Sequence, residues 1–214
     1  MISRKKSKLT EAARSKESST IGGTSGIHCR AMYTSTAKLL HWLVASLVVV
    51  QFVLANLAER AEDADNLVRE LALFANHRSV GITILALIII RLLWRWRNPP
   101  PPLPETVPQW QLMASRVSHY SLYGILLIMP ISGWLMTSAA DVSVSWFGLV
   151  DLPDFVAPDH ERHEFFEGIH KLVAKLLFVI ASLHILAALK HGLFDKDGVL
   201  QRMLPVSGTA DGKT

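Results

Sequence analysis

The stretch GIHKLVAKLLFVIASLHILAAL, residues 168–189, decides how this chain folds. It is long and apolar enough to cross a bilayer, because a helix of ~20 residues spans a hydrocarbon core ~30 Å thick. Yet it carries two imidazoles, His170 and His184. Fourteen helical steps of ~100° fall within ~40° of whole turns and advance ~21 Å along the axis. Both rings therefore lean to nearly the same face, close to opposite edges of the core. A polar ring inside a membrane is costly and needs a partner. Two rings on one face predict two partners, stacked one above the other.

Three further runs reach spanning length, at residues 37–58, 79–96 and 112–138. The expected fold is an all-α membrane protein, a bundle of four transmembrane helices. A soluble bundle would show a polar stripe on each helix, whereas residues 82–93 are apolar nearly all round. The single Cys29 excludes a disulfide framework, and no C-x-x-C-H occurs for covalent haem attachment. Any haem would be held by ligation and packing alone.

The net charge of +4 belongs to one end of the chain. Residues 1–32 carry seven Lys or Arg against two Glu, a net of +5, so the remainder is −1. The basicity is no argument for nucleic-acid binding. Residues 1–32 read as a disordered basic extension, either a cytosolic tail or an overlong start with Met32 as the alternative. They lack the apolar core of a secretory signal. Residues 33–205 form the expected transmembrane domain, and 206–214 a short tail.

Loop charges set the orientation. Residues 59–76 hold five acidic and two basic side chains, and residues 139–167 hold seven and one. Arg91, Arg95, Arg97 and Arg116 cluster around the linker between the second and third spans. Positive charge stays inside. Both termini and the Pro-rich linker at 98–108 are therefore expected in the cytoplasm, with the two acidic segments outside. Pro99–Pro102 ends the second helix and stiffens the connector. Within the third span Pro130 removes a backbone bond and is expected to bend the helix. Gly124 and Gly133 there let a flat ligand or a neighbouring helix approach.

Helix direction then sorts the histidines by depth. His41 starts the first span and His184 lies late in the fourth, so both are inner. His77 precedes the second span and His170 starts the fourth, so both are outer. Each pair draws one imidazole from each of two helices at one depth. Two bis-imidazole haem sites need that arrangement, since haem iron accepts axial His. A zinc site lacks a Cys or nearby carboxylate to complete a tetrahedral set. Saturated axial positions leave electron transfer rather than gas binding as the role. His119 and His191, both inner, remain as candidates for an inner substrate site, with an interfacial role as the alternative for His191. His160 and His163 are expected to be solvated.

Cations accompany the pairs. Lys38, Arg91 and Arg116 lie at the inner side, where they suit haem propionates or topology anchoring. Arg78, Lys171 and Lys175 lie at the outer side beside His77 and His170, against otherwise acidic loops. They suit propionates or an approaching anion.

Several fragments together carry a resemblance: Leu39-Leu40-His41-Trp42, Asn76-His77-Arg78-Ser79-Val80-Gly81, Ser118-His119-Tyr120, Pro130-Ile131-Ser132-Gly133-Trp134 and Ile169-His170-Lys171-Leu172. The chain resembles the bacterial cytochrome b-561 family over residues 33–205. The resemblance implies a four-helix protein of the bacterial inner membrane with two non-covalent b haems. By residue match, His41 and His184 would hold one haem and His77 and His170 the other. One branch of the family oxidises superoxide at the outer face and reduces ubiquinone at the inner face. Arg78, Lys171 and Lys175 would suit the anion side, and His119, His191 and Arg116 the quinone side. The alternative is a cytochrome b subunit passing electrons between a partner dehydrogenase or periplasmic carrier and the quinone pool. A third reading gives the histidines protons or metal ions to carry, with no redox role.

Overall fold

A computed structural model describes residues 32–101 and 107–205. The expectations for residues 1–31 and 206–214 lie outside the described residues, as does the middle of the Pro-rich linker. Four long helices dominate: α1 (Ser35–Asp63), α2 (Leu67–Arg97), α3 (Gln109–Ala139) and α4 (His160–Lys190). A π-helical turn (His191–Asp195) and a 3-10 turn (Leu200–Arg202) follow. All four helices are long and apolar enough to cross a membrane. The protein is a multi-pass, all-α bundle.

Local chemistry starts each helix. Orphan N–H groups in a first turn need acceptors. Thr34 Oγ1 accepts from Ala37 N at 3.2 Å, Asn66 Oδ1 from Arg69 N at 3.2 Å, and Asp159 Oδ1 from Arg162 N at 2.9 Å. Pro108, with no N–H to lose, precedes α3.

The helices outrun the apolar stretches that announce them. At 29 to 31 residues each is ~44–47 Å long, well beyond a ~30 Å core. The acidic segment 59–76, expected as a loop, is therefore mostly helix, with only residues 64–66 joining α1 to α2. Outside the hydrocarbon, charged side chains are solvated and the backbone has no reason to unwind. Asn66 fixes where the new helix begins. The third span also continues as one helix through Pro130.

The α3–α4 connection holds a small hairpin, β1 (Ser145–Trp146) and β2 (Val150–Asp151), paired Ser145 to Asp151 and Trp146 to Val150. It is pinned to α2. Ser79, 2% exposed, accepts from Phe147 N at 2.9 Å through its hydroxyl. That hydroxyl also lies 3.2 Å from the Ser145 carbonyl. Trp146 Nε1 donates to Thr83 Oγ1 at 3.1 Å. Asp154 accepts from Ser138 at 3.3 Å and Ser143 at 3.0 Å, tying the same loop to α3.

Packing is closest within the hairpins α1–α2 and α3–α4, while α4 makes no extensive main-chain contact with α1 or α2. Apolar side chains bridge that gap. Ile125, Val173 and Leu177 form the buried cluster, with Val48, Phe52, Leu126 and Ile180 against it. Along α4, Val173 and Leu177 fall between His170 and His184, so the core separates the two histidine levels. Leu172, Phe178, Leu183 and Leu186 point outward, where lipid solvates them.

Ser79→Ala removes the acceptor of the part-buried Phe147 N–H, and a typical hydrogen bond contributes ~1 kcal/mol net. The expected result is faster proteolytic cutting of the 145–151 hairpin in the detergent-solubilised protein. Unchanged cutting would show that Ser79 does not hold it.

Candidate functional site: two pairs of histidines

Two imidazole pairs bridge different helices. The ring centres of His41 on α1 and His184 on α4 are 6.4 Å apart. Those of His77 on α2 and His170 on α4 are 6.3 Å apart. The planes within each pair are inclined by 70°. A metal–imidazole bond is about 2.0–2.1 Å, and a ring nitrogen sits ~1.1 Å from its ring centre, given bonds of ~1.33 Å. Two such arms placed end to end come to ~6.3 Å. Each pair is thus spaced to take one metal atom between its rings, and the angle between the planes does not alter that spacing.

The same measure sets His119 apart. Its ring centre is 5.2 Å from that of His184, too close for an atom between them. His119 is a direct neighbour of His184, with Nδ1 3.3 Å from Ser115 Oγ.

His170 is held in one orientation. Its Nδ1 is 3.1 Å from the Met129 carbonyl and 3.1 Å from Ser132 Oγ. A carbonyl can only accept, so Nδ1 carries the proton and Nε2 keeps its lone pair for a metal. Fixing the tautomer of a ligating His through its second nitrogen is how outer partners tune metal sites. Gly133 makes room: a Cβ there would lie 3.0 Å from His170 Cε1. What Gly133 admits is therefore the His170 ring itself. Across the pair, Gln51 Nε2 donates to the His77 carbonyl at 3.0 Å. Gly81 allows this approach, since its Cβ would lie 3.1 Å from that nitrogen. Gln51 Oε1 and His77 Nδ1 are buried with no hydrogen-bond partner among the described residues.

The other expected site residues divide. At the His41–His184 end, Arg91 Nε donates to Tyr123 Oη at 3.2 Å and Nη1 to the Ala37 carbonyl at 3.4 Å. Arg116 is exposed and makes no such contact among the described residues. His191 opens the π-helical turn, and its Nδ1 lies 2.6 Å from Asp197 and 3.4 Å from Asp195. Asp195 also pairs with Lys190. At the His77–His170 end, Lys171 is paired with Glu167 at 2.8 Å. Arg78 is half-buried and Lys175 exposed. His160 is exposed beside Glu164, as expected. His163 is not free in solvent: it is half-buried, with Nδ1 3.1 Å from the Met136 carbonyl.

Sequence reasoning missed Gln51, Met129, Ser132, Tyr123, Asp195 and Asp197. Only the last two left a readable signal, since Asp195-Lys196-Asp197-Gly198 has the composition of a turn. Lys196 (φ 50°) and Gly198 (φ 83°) adopt left-handed conformations there.

Fold and histidine geometry define a four-span helical membrane protein with two paired-imidazole sites at two depths. The chain belongs to the prokaryotic cytochrome b561 family, which matches residues 32–206. It is 34% identical to cytochrome b561 homolog 2 of Escherichia coli K12, over 84% of this chain and 95% of that protein. It is 29% identical to a protein of Yersinia pestis named "Probable superoxide oxidase CybB", over 78% of this chain and 92% of the relative. Cytochrome b562 of Cereibacter sphaeroides is 28% identical, over 80% and 94% respectively. Membership brings a b-type haem and an electron-transfer role.

Gly133→Val drives a branched side chain into the His170 ring and should lower b-haem absorbance per mole of purified protein. Gly124→Val is the control, since a Cβ at Gly124 meets nothing within 4 Å, and it should leave the absorbance unchanged. Equal effects of the two would mean that Gly133 does not serve His170.

Proposed function

We propose that His41 with His184, and His77 with His170, are the axial ligands of two b haems. Electrons pass between these haems across the membrane. The observation that carries this reading is the match of both pairs, at 6.4 and 6.3 Å, to the ~6.3 Å span of two metal–imidazole arms. The haem supplies one-electron exchange when bound. The chain supplies the rest: imidazoles that saturate both axial positions, a Met129 carbonyl that fixes one tautomer, and an apolar cluster that separates the two levels.

The loop charges support termini in the cytoplasm, with the His77–His170 pair at the outer face and the His41–His184 pair at the inner face. The proposed donor is superoxide and the proposed acceptor ubiquinone. Two superoxide anions each give up one electron and leave as O₂, and ubiquinone takes both electrons with two protons from the inner side. Arg78 and Lys175, which make no ion pair among the described residues, are the proposed anion approach together with Lys171. At the inner side, His119 beside His184, Arg116, and His191 on its two carboxylates line the way for quinone and protons. The superoxide reading draws on the relative from Yersinia pestis.

One observation favours the second reading, a cytochrome b subunit served by a partner protein. Glu167 holds Lys171 at 2.8 Å and offsets its attraction for a small anion, and the surrounding outer segments are acidic.

Oxidised protein mixed with superoxide decides between them. The proposed function expects prompt haem reduction, relayed to added ubiquinone, and slower by ~10-fold in Arg78→Glu, where attraction becomes repulsion. Reduction no faster than that of free haem would leave the partner-served reading standing. His41→Ala should remove one haem and spare the site of His77 and His170, read as loss of half the b-haem absorbance. Full retention would overturn the ligand assignment.

A further inference from the structure

Two guanidinium groups converge on one ring near the His41–His184 pair. Arg91 and Arg95 place their Cζ atoms 5.9 Å and 5.6 Å from the centre of the Tyr123 ring, and Tyr123 is buried. Arg91 also donates to Tyr123 Oη and to the Ala37 carbonyl. All these acceptors are neutral. Neither arginine has a carboxylate partner among the described residues. Arg91 lies within electrostatic reach of His41, His184 and His119.

Such an arrangement is out of balance by itself. An aromatic face returns about 0.5–2 kcal/mol to a cation. Two like charges sharing one ring repel, and both side chains are half-buried, where a counter-charge is worth more than in bulk water. The planar guanidinium fork matches a carboxylate or phosphate. The Tyr123 oxygen accepts from Arg91, which leaves its own O–H to donate to an anion. The Tyr123 ring is buried among the helices.

We infer that Arg91, Arg95 and the Tyr123 hydroxyl form a carboxylate-binding site, and that its ligand is a propionate of the haem between His41 and His184. This rests on the ligand assignment above. The site gathers its residues from α2 and α3 and is anchored by Arg91 to α1, so one carboxylate would lock three helices around the inner haem. Arg95 and Tyr123 enter as binding residues, and the exposed Arg116 has no part in it.

The test uses full-length protein in lipid nanodiscs, reconstituted with either haem b or its dimethyl ester, whose propionates carry no charge. A haem-scavenging apoprotein then measures release. With haem b, Arg91→Gln or Arg95→Gln should speed release of one of the two haems by ~10-fold or more, as expected for a lost charge-assisted hydrogen bond. With the ester, unsubstituted protein should already release that haem as fast, and the substitutions should add nothing. Tyr123→Phe keeps the ring and both charges. It should give a smaller shift of the same kind, and it covers the case where the arginine variants do not assemble. The inference is overturned if the substitutions act equally on ester and native haem, or if unsubstituted protein holds both equally well. It is also overturned if retention follows the phosphatidylglycerol content of the nanodisc, which would make a lipid phosphate the ligand. Failure of the ligand assignment is read separately, as two haems still bound in both His41→Ala and His184→Ala.

Discussion

An imidazole in hydrocarbon has nowhere to put its polar edge, and that cost organises this bundle. Each ring that α4 carries into the membrane meets a ring from another helix, at 6.4 Å with α1 and 6.3 Å with α2. Those separations are wider than a direct ring contact such as His119 on His184 at 5.2 Å. They also fix how closely the α1–α2 hairpin can approach α4. Packing answers to them. Gly133 and Gly81 remove a Cβ where a ring or an amide must pass, and Ser132 with the Met129 carbonyl sets the rotation of His170. The loop hairpin on Ser79 and Thr83 braces α2 two residues beyond His77.

Depth follows from the same element. His170 and His184 are fourteen residues apart on one continuous helix, a rise of ~21 Å. Val173 and Leu177 fill the interval with buried apolar side chains. In the proposed arrangement this makes a two-step conductor across most of the hydrocarbon core. The two ends differ in chemistry. The His77–His170 end is ringed by acidic segments in which Glu167 offsets Lys171. The His41–His184 end gathers uncompensated arginine on Tyr123 and a histidine held by two aspartates. In the proposed function that contrast would set the direction of electron flow, with the donor meeting the first end and the quinone the second.

Much of this was legible in the residues. Four apolar runs gave four spans, and helix direction paired the histidines as the structure does, because both signals are one-dimensional. Helix ends were harder. Glu59, Glu62 and Asp63 mark the exit from hydrocarbon but not the end of α1, since charge outside the membrane does not unwind a helix. Gly133 stood out as a small residue, but its neighbour lay 37 positions away on another helix. Nothing local announces that Tyr123 will receive two arginines, that Gln51 will clasp the His77 backbone, or that His163 will reach the Met136 carbonyl. Those contacts arise from helix rotation, which packing decides. The two-residue strands of the loop hairpin are too short to leave a periodic signal.

The central claim is that each histidine pair holds one haem by both of its imidazoles. Electron paramagnetic resonance of the oxidised protein, calibrated against the haem-to-protein ratio, addresses it most directly. Two haems per chain, both low-spin ferric with nitrogen from histidine on each axial side, is the predicted result. A single haem per chain, or a high-spin signal reporting an open axial position at either site, would contradict it.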